Sequence, residues 1–162
     1  MMVHPILGVP AGTIPDEGIR KGGSTGRIGY FGMTRNGGDK MHAGVDLICG
    51  VGAPVYAAHA GRVMQAGWQN GGEGKPGAGY GLRVYLADST TTSVYAHLCH
   101  LLVQQGDELE AGQLIGFAGW TGNADPRDVH VHFEIRRGDP VDPVEEFEKI
   151  ADAERHPPIK GV

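Results

Sequence analysis

Cysteine is scarce in this chain of 162 residues: Cys49 and Cys99 are the only two. Two thiols are too few for a disulfide framework or a thiolate zinc site. Their plainest reading is a pair of small buried hydrophobes, free and dispensable, with a single bridge as the alternative. Positive charge is also short. The 14 Lys and Arg against 19 Asp and Glu leave a formal net charge of −5, which disfavours nucleic acid and an acidic membrane surface as partners. No apolar run approaches the roughly 20 residues of a membrane span, so no membrane insertion is expected. The opening text, MMVHPILGVPAGTIPDEG, lacks a basic stretch followed by a long apolar core. It does not read as a secretory signal peptide. The expectation is a chain that is cytosolic when made, was trimmed, or leaves the cell by another route.

What the chain has in plenty is glycine and proline, 28 and 10 residues. With 40% hydrophobic and 20% charged residues, this composition points to one globular domain of short strands joined by tight turns. Residues 1–25 carry little periodicity and read as an irregular N-terminal arm. The main domain is placed at 26–145, with a C-terminal helix and tail at 146–162.

The most informative stretch is Val129 to Arg136, VHVHFEIR. As a strand it points Val131, Phe133 and Ile135 to one face and His130, His132 and Glu134 to the other. Two imidazoles about 7 Å apart on one strand face make a candidate site, because neutral imidazole is both a common metal ligand and a common general base. A polar face at a sheet edge would look the same in isolation. A second stretch, MHAGVDLI at 41–48, reads as a strand that puts His42, Gly44 and Asp46 on one face. A carboxylate there needs a partner, because burying it alone is costly. A salt bridge would serve Asp46 alone, and a metal would serve Asp46 and His42 together.

The remaining text reads as strands at 27–34, 53–58, 62–66, 82–87, 92–97 and 113–118. The strand at 92–97 ends on His97, and the 99–112 region reads as two turns around a short apolar piece. His59 falls at a turn and is expected to be solvated. The glycine-rich loop at 67–81 is not a phosphate loop, since it lacks the Gly-Lys-Ser/Thr ending. It is a candidate place for substrate contact, with Trp68 and Tyr80 at its ends. Asp142-Pro143-Val144-Glu145 starts a helix with Asp142 as its cap and an apolar face of Val144, Phe147, Ile150 and Ala151. The coarse fold is therefore mainly β, an antiparallel sheet domain with one terminal helix.

His42, Asp46 and His132 form a two-His, one-carboxylate set. It suits one zinc ion with a position left for water, and its residue types also suit non-haem iron. His97 and His130 favour zinc hydrolysis, where imidazoles beside the metal can move protons or steady an oxyanion.

The sequence resembles the lysostaphin-type (LytM-like) zinc metallopeptidases, which cut peptide bonds in bacterial peptidoglycan. The family's His-x-x-x-Asp motif is matched by HAGVD at 42–46, its Tyr-Ala-His-Leu setting by Tyr95 to Leu98, and its His-x-His motif by His130 and His132. The connecting text agrees as well: Phe31-Gly32 with Arg35, GAPVYAAHAGRV at 52–63, GDELEAGQLIGFAGWTG at 106–122, and Val141-Asp142-Pro143. The resemblance spans roughly 26–145 and implies the family's duplicated-hybrid-motif-like fold. It also implies zinc on His42, Asp46 and His132, and His97 with His130 as catalytic pair. Peptidoglycan peptides are the implied partner, with the chain acting as a monomer at the cell envelope, by an export route that a phage or virion origin would explain. The DPRDV text at 125–129 and the long glycine-rich loop depart from the family pattern, so the bond cleaved stays open. Two alternatives remain. One is a non-catalytic wall-binding or hydrolase-activator domain of the same fold. The other is a carrier domain, which would need a modified lysine or a phosphorylated histidine.

Overall fold

The structure, a computed structural model, describes residues 1–10, 12–69 and 79–156. In chain order the first strands are β1 (Gly32–Arg35), β2 (Lys40–His42), β3 (Val45–Ile48) and β4 (Pro54–Tyr56). Then come β5 (Gly61–Trp68), β6 (Leu82–Ala87), β7 (Thr92–Leu101) and β8 (Glu108–Leu109). The chain continues through β9 (Leu114–Ala118), β10 (His130–Arg137), β11 (Asp139–Val141) and α1 (Pro143–Arg155). Every pairing between these strands is antiparallel, as expected from the sequence.

The His-x-His strand, β10, is paired on both sides. On one side it meets β7, with His132 opposite Ala96 and Phe133 opposite Tyr95. On the other it meets β3, with His132 opposite Asp46, and then β11. Its apolar face behaves as the alternation predicts: Val131, Phe133 and Ile135 are 0% exposed. Each such side chain contributes roughly 1.5–3 kcal/mol by leaving water. From β7 the sheet continues through β6 and β5 to β8.

Three strand expectations are corrected. The first strand begins at Gly32, not Arg27, because residues before it bond elsewhere: the Gly29 carbonyl accepts from Asp46 N, and Gly29 N donates to the Arg20 carbonyl. The expected single strand over 41–48 is two. β2 pairs with β1, β3 pairs with β10, and the chain breaks between them at Ala43 and Gly44. Gly44 passes so close to β10 that a Cβ there would lie 2.2 Å from the Phe133 carbonyl oxygen. Finally, β7 runs on past His97 to Leu101 and pairs there with β9.

The N-terminal arm holds one short 3₁₀ turn, Asp16–Gly18, yet it is not loose. Met2, Ile14 and Ile19 are buried in the same apolar cluster as the sheet and Phe147 of the helix, and Ile19 forms a bridge to Leu47. α1 starts as its sequence indicates, with the Asp142 carboxylate accepting from Val144 N at 2.9 Å. Phe147 packs edge-on against Phe133. Both cysteines are free. Cys99 is exposed rather than buried, and Cys49 is half-buried, with burial raising its thiol pKa to about 11. Among the described residues no helix is long and apolar enough to cross a membrane.

Candidate metal centre and active site

All five residues singled out above line or floor one region. Asp46 comes from β3, His132 and His130 from β10, His97 from β7, and His42 from the end of β2. The cleft over them has a volume of about 480 Å³, and His42, His97, His130 and His132 line it together with Tyr80 and Asn123. Its walls also carry Arg20, Arg35 and Lys40. Of the glycine-rich loop, residues 70–78 lie outside the described part of the structure. At its ends Trp68 packs against the core while Tyr80 faces the cleft, its ring stacked 5.2 Å from that of His132.

His97 reaches the cleft by a backbone irregularity. The β6 partners shift from Leu82 opposite Leu98 to Val84 opposite Tyr95, so β7 fits three residues against two. His97 adopts a left-handed φ of 64°. The bulge turns its ring onto the face that carries His130, 5.1 Å away between ring centroids. Strict alternation would have sent it into the core beside Tyr95.

The ring nitrogens are oriented by what stands behind them. His42 Nδ1 lies 2.7 Å from the Tyr30 carbonyl, His97 Nδ1 2.8 Å from the Thr121 carbonyl, and His130 Nδ1 2.8 Å from the Asp128 carbonyl. A carbonyl only accepts, so each Nδ1 carries the proton and each Nε2 presents a lone pair. His132 is reversed: its Nε2 lies 2.8 Å from Glu134 Oε1, which leaves Nδ1 as the lone-pair atom. At the centre, His42 Nε2, His132 Nδ1 and Asp46 Oδ1 converge at 2.9, 3.0 and 3.1 Å from one another. In neutral rings these are three lone-pair atoms, which repel one another unless a proton or a metal ion sits among them. The donor set of two imidazole nitrogens and one carboxylate oxygen fits zinc.

Two arginines answer the negative charge of Asp46. Arg35 Nη2 donates to Asp46 Oδ2 at 2.7 Å and lies 2.8 Å from His42 Nε2. Arg20, from the arm, reaches Asp46 Oδ2 at 3.5 Å and also pairs with Asp128. Burial opposes charge on Asp46, yet with no metal bound hydrogen bonds from His132 and His42 in their protonated forms hold its pKa well below 3.8. Burial, then the neighbouring His130, lowers His97 to about 4. Burial also lowers His130, against the pull of Asp46. Both rings are therefore neutral at physiological pH, as a proton acceptor must be. On His132 burial is outweighed by Asp46 and Glu134, which raise its pKa.

Sequence reasoning missed Arg20 and Glu134. Arg20 gave no signal, since its contacts are made across long loops. Glu134 was legible as a neighbour on the histidine face but was assigned no role. His59 corrects another expectation. It is buried, with Nε2 2.9 Å from Ser93 Oγ and Nδ1 3.6 Å from Asp88. The three residue types imitate a hydrolytic triad, but Ser93 is 0% exposed and no substrate can reach it.

Comparison with known proteins gives the class to which this sheet and its His/Asp/His centre belong. The profile of Peptidase family M23 matches residues 40–143, and the chain belongs to that family, a family of zinc metallopeptidases. It is 36% identical over 106 residues to lysostaphin of Staphylococcus simulans, covering 65% of this chain and 20% of that protein. It is 38% identical over 106 residues to a lipoprotein NlpD/LppB homolog of Pseudomonas aeruginosa, covering 65% of this chain and 33% of that protein. The chain thus matches a third or less of the length of these relatives. The crystallized catalytic domain of lysostaphin from Staphylococcus simulans superposes with a TM-score of 0.61 at 30% identity, over 82% of this chain and 94% of that one.

Proposed function

We propose that this chain is a zinc-dependent endopeptidase that hydrolyses peptide bonds in bacterial peptidoglycan. His42, Asp46 and His132 hold one zinc ion, and His97 and His130 are the catalytic pair. The observation that carries the reading is the direction of the ring nitrogens: all four histidines present a lone pair to one cleft, and two of these meet a buried carboxylate. Zinc in such a set polarises an amide carbonyl and lowers the pKa of water. The Nε2 atoms of His97 and His130 are free of protons on the cleft side. One can take the proton of the attacking water. Once charged, it can hydrogen-bond the oxyanion and hand the proton to the leaving amine. Proton transfer and oxyanion stabilisation are each worth roughly two to three decades in rate or somewhat more.

A second reading, a binding or activator domain of the same fold, is favoured by relatives that are named lipoproteins rather than enzymes. Metal analysis of the purified protein, combined with incubation on peptidoglycan, separates the two. The enzyme reading expects about one zinc per chain and new peptide amino groups that cease to form after chelation. Bound zinc without cleavage would favour the binding domain. Hydrolysis undiminished by chelation, with no zinc present, would overturn the metal reading.

A further inference from the structure

Glu134 is the buried charge at this site that the proposed chemistry leaves without work. Its side chain is 0% exposed, and it lies two residues beyond His132 on the same strand face. Its Oε1 accepts from His132 Nε2 at 2.8 Å and from the Tyr80 hydroxyl, while Oε2 accepts from Arg136 Nε at 2.6 Å. A buried carboxylate is tolerated when it is paired and fully hydrogen-bonded, and Glu134 is both. Of its three donors, Tyr80 and His132 line the cleft, and His132 is a residue of the metal-binding trio.

A carboxylate has no proton to give, so His132 Nε2 must carry one. In a neutral imidazole that makes Nδ1 the only nitrogen able to bind a metal, and Nδ1 is the atom that faces Asp46 and His42. His42 achieves the equivalent with a backbone carbonyl, which no side-chain substitution removes. His132 depends on a side chain instead. Its ring is also fixed in plane by Tyr80, stacked at 22° between planes, and the Tyr80 hydroxyl donates to the same Oε1.

We propose that Glu134 is a positioning residue that sets the tautomer and ring orientation of His132, so that Nδ1 is offered to zinc, with Tyr80 bracing both. Glu134 touches neither substrate nor metal and acts only through His132. This rests on the zinc reading given above. Outer hydrogen-bond partners of metal-bound histidines typically govern 10- to 100-fold in metal affinity, and the same scale is expected here.

The test uses the whole chain as wild type, Glu134→Ala, Glu134→Gln and Tyr80→Phe. Zinc affinity is measured by competition with a chromophoric chelator. The His132 tautomer is read in the metal-free protein from the nitrogen chemical shifts of the ring, at a pH high enough for the ring to be neutral, since Asp46 and Glu134 raise its pKa. Wild type is expected to show the proton on Nε2. Glu134→Ala should weaken zinc by about 10- to 100-fold and let the tautomers mix. Glu134→Gln retains an acceptor oxygen and should recover part of both, and Tyr80→Phe should move affinity less than Glu134→Ala does. A merely structural carboxylate would change the melting temperature without moving the tautomer. Unchanged zinc affinity in Glu134→Ala, with the proton still on Nε2, would overturn the role given to Glu134 and leave the metallopeptidase reading standing. A wild type that binds no zinc would overturn the metal reading itself.

Discussion

Tyr95 and His97 stand two positions apart on β7 and face opposite sides of the sheet. Tyr95 is fully buried against Phe133, with its hydroxyl accepting from Ala58 N. His97 lies over the cleft beside His130. One extra residue in the strand and one left-handed φ produce the reversal. The convergence of the five site residues thus depends on a local irregularity as well as on strand register.

The left-handed backbone gives a prediction of sign. In an ordinary strand alanine is preferred to glycine by about 0.5–1 kcal/mol. At His97 the order should reverse, since a side chain at that φ costs roughly 1–2 kcal/mol. Chemical denaturation of His97→Gly and His97→Ala should find the glycine variant more stable by about 1 kcal/mol. An alanine variant of equal or higher stability would contradict the bulge.

Gly44 supplies a second. Replacing glycine by alanine commonly stabilises by about 0.4–1 kcal/mol where the backbone permits it. A Cβ at Gly44 would collide with the Phe133 carbonyl and the Glu134 side chain. Gly44→Ala should therefore lose about 1–3 kcal/mol, with a fall in Tm of about 2–4 °C per kcal/mol for a chain of this size. An unchanged Tm would show that β3 does not approach β10 as described.

Much of this was legible in the sequence. β6 and β10 follow their alternation of apolar and polar residues almost to the residue, and the helix cap at Asp142 follows from its chemistry. What escaped is what depends on distant partners. The break at Ala43-Gly44 is imposed by a carbonyl on β10. His59 is buried because Ser93, on another strand, receives it. The Arg20 contact with Asp46 joins the arm to the sheet, and no local pattern announces such a pairing. His97 was singled out in the sequence and lies over the cleft, but the bulge that aims it leaves no periodic trace.

His4 gives a pH dependence away from the candidate metal centre. Its Nδ1 accepts from both Ile6 N and Leu7 N at 3.2 Å, so the turn needs a neutral ring. Burial lowers its pKa below 6.5. The unfolded chain then binds the proton more readily than the folded one, so this contribution to stability is complete above pH 6.5 and is lost as pH falls through the lowered folded value. His4→Asn keeps an acceptor and does not titrate. Denaturant unfolding between pH 7 and pH 5 should show wild type losing stability relative to this variant, and parallel curves would remove the argument.

Metal binding should also appear in stability. A ligand at about 100 times its dissociation constant stabilises the folded state by about 2.7 kcal/mol. Chelation should therefore lower the Tm of wild type, and Asp46→Asn should show no such difference. A wild-type Tm indifferent to both chelator and added zinc would oppose the proposed centre.

The division of labour between ligands and catalysts is the core of the account, and the neighbours on β10 test it most directly. Zinc stoichiometry is to be measured on purified His130→Ala and His132→Ala, with peptidoglycan-peptide cleavage followed on the same samples. His130→Ala should retain about one zinc and lose roughly two to four decades of turnover. His132→Ala should lose both metal and activity. Zinc retained in His132→Ala and stripped from His130→Ala would contradict the assignment.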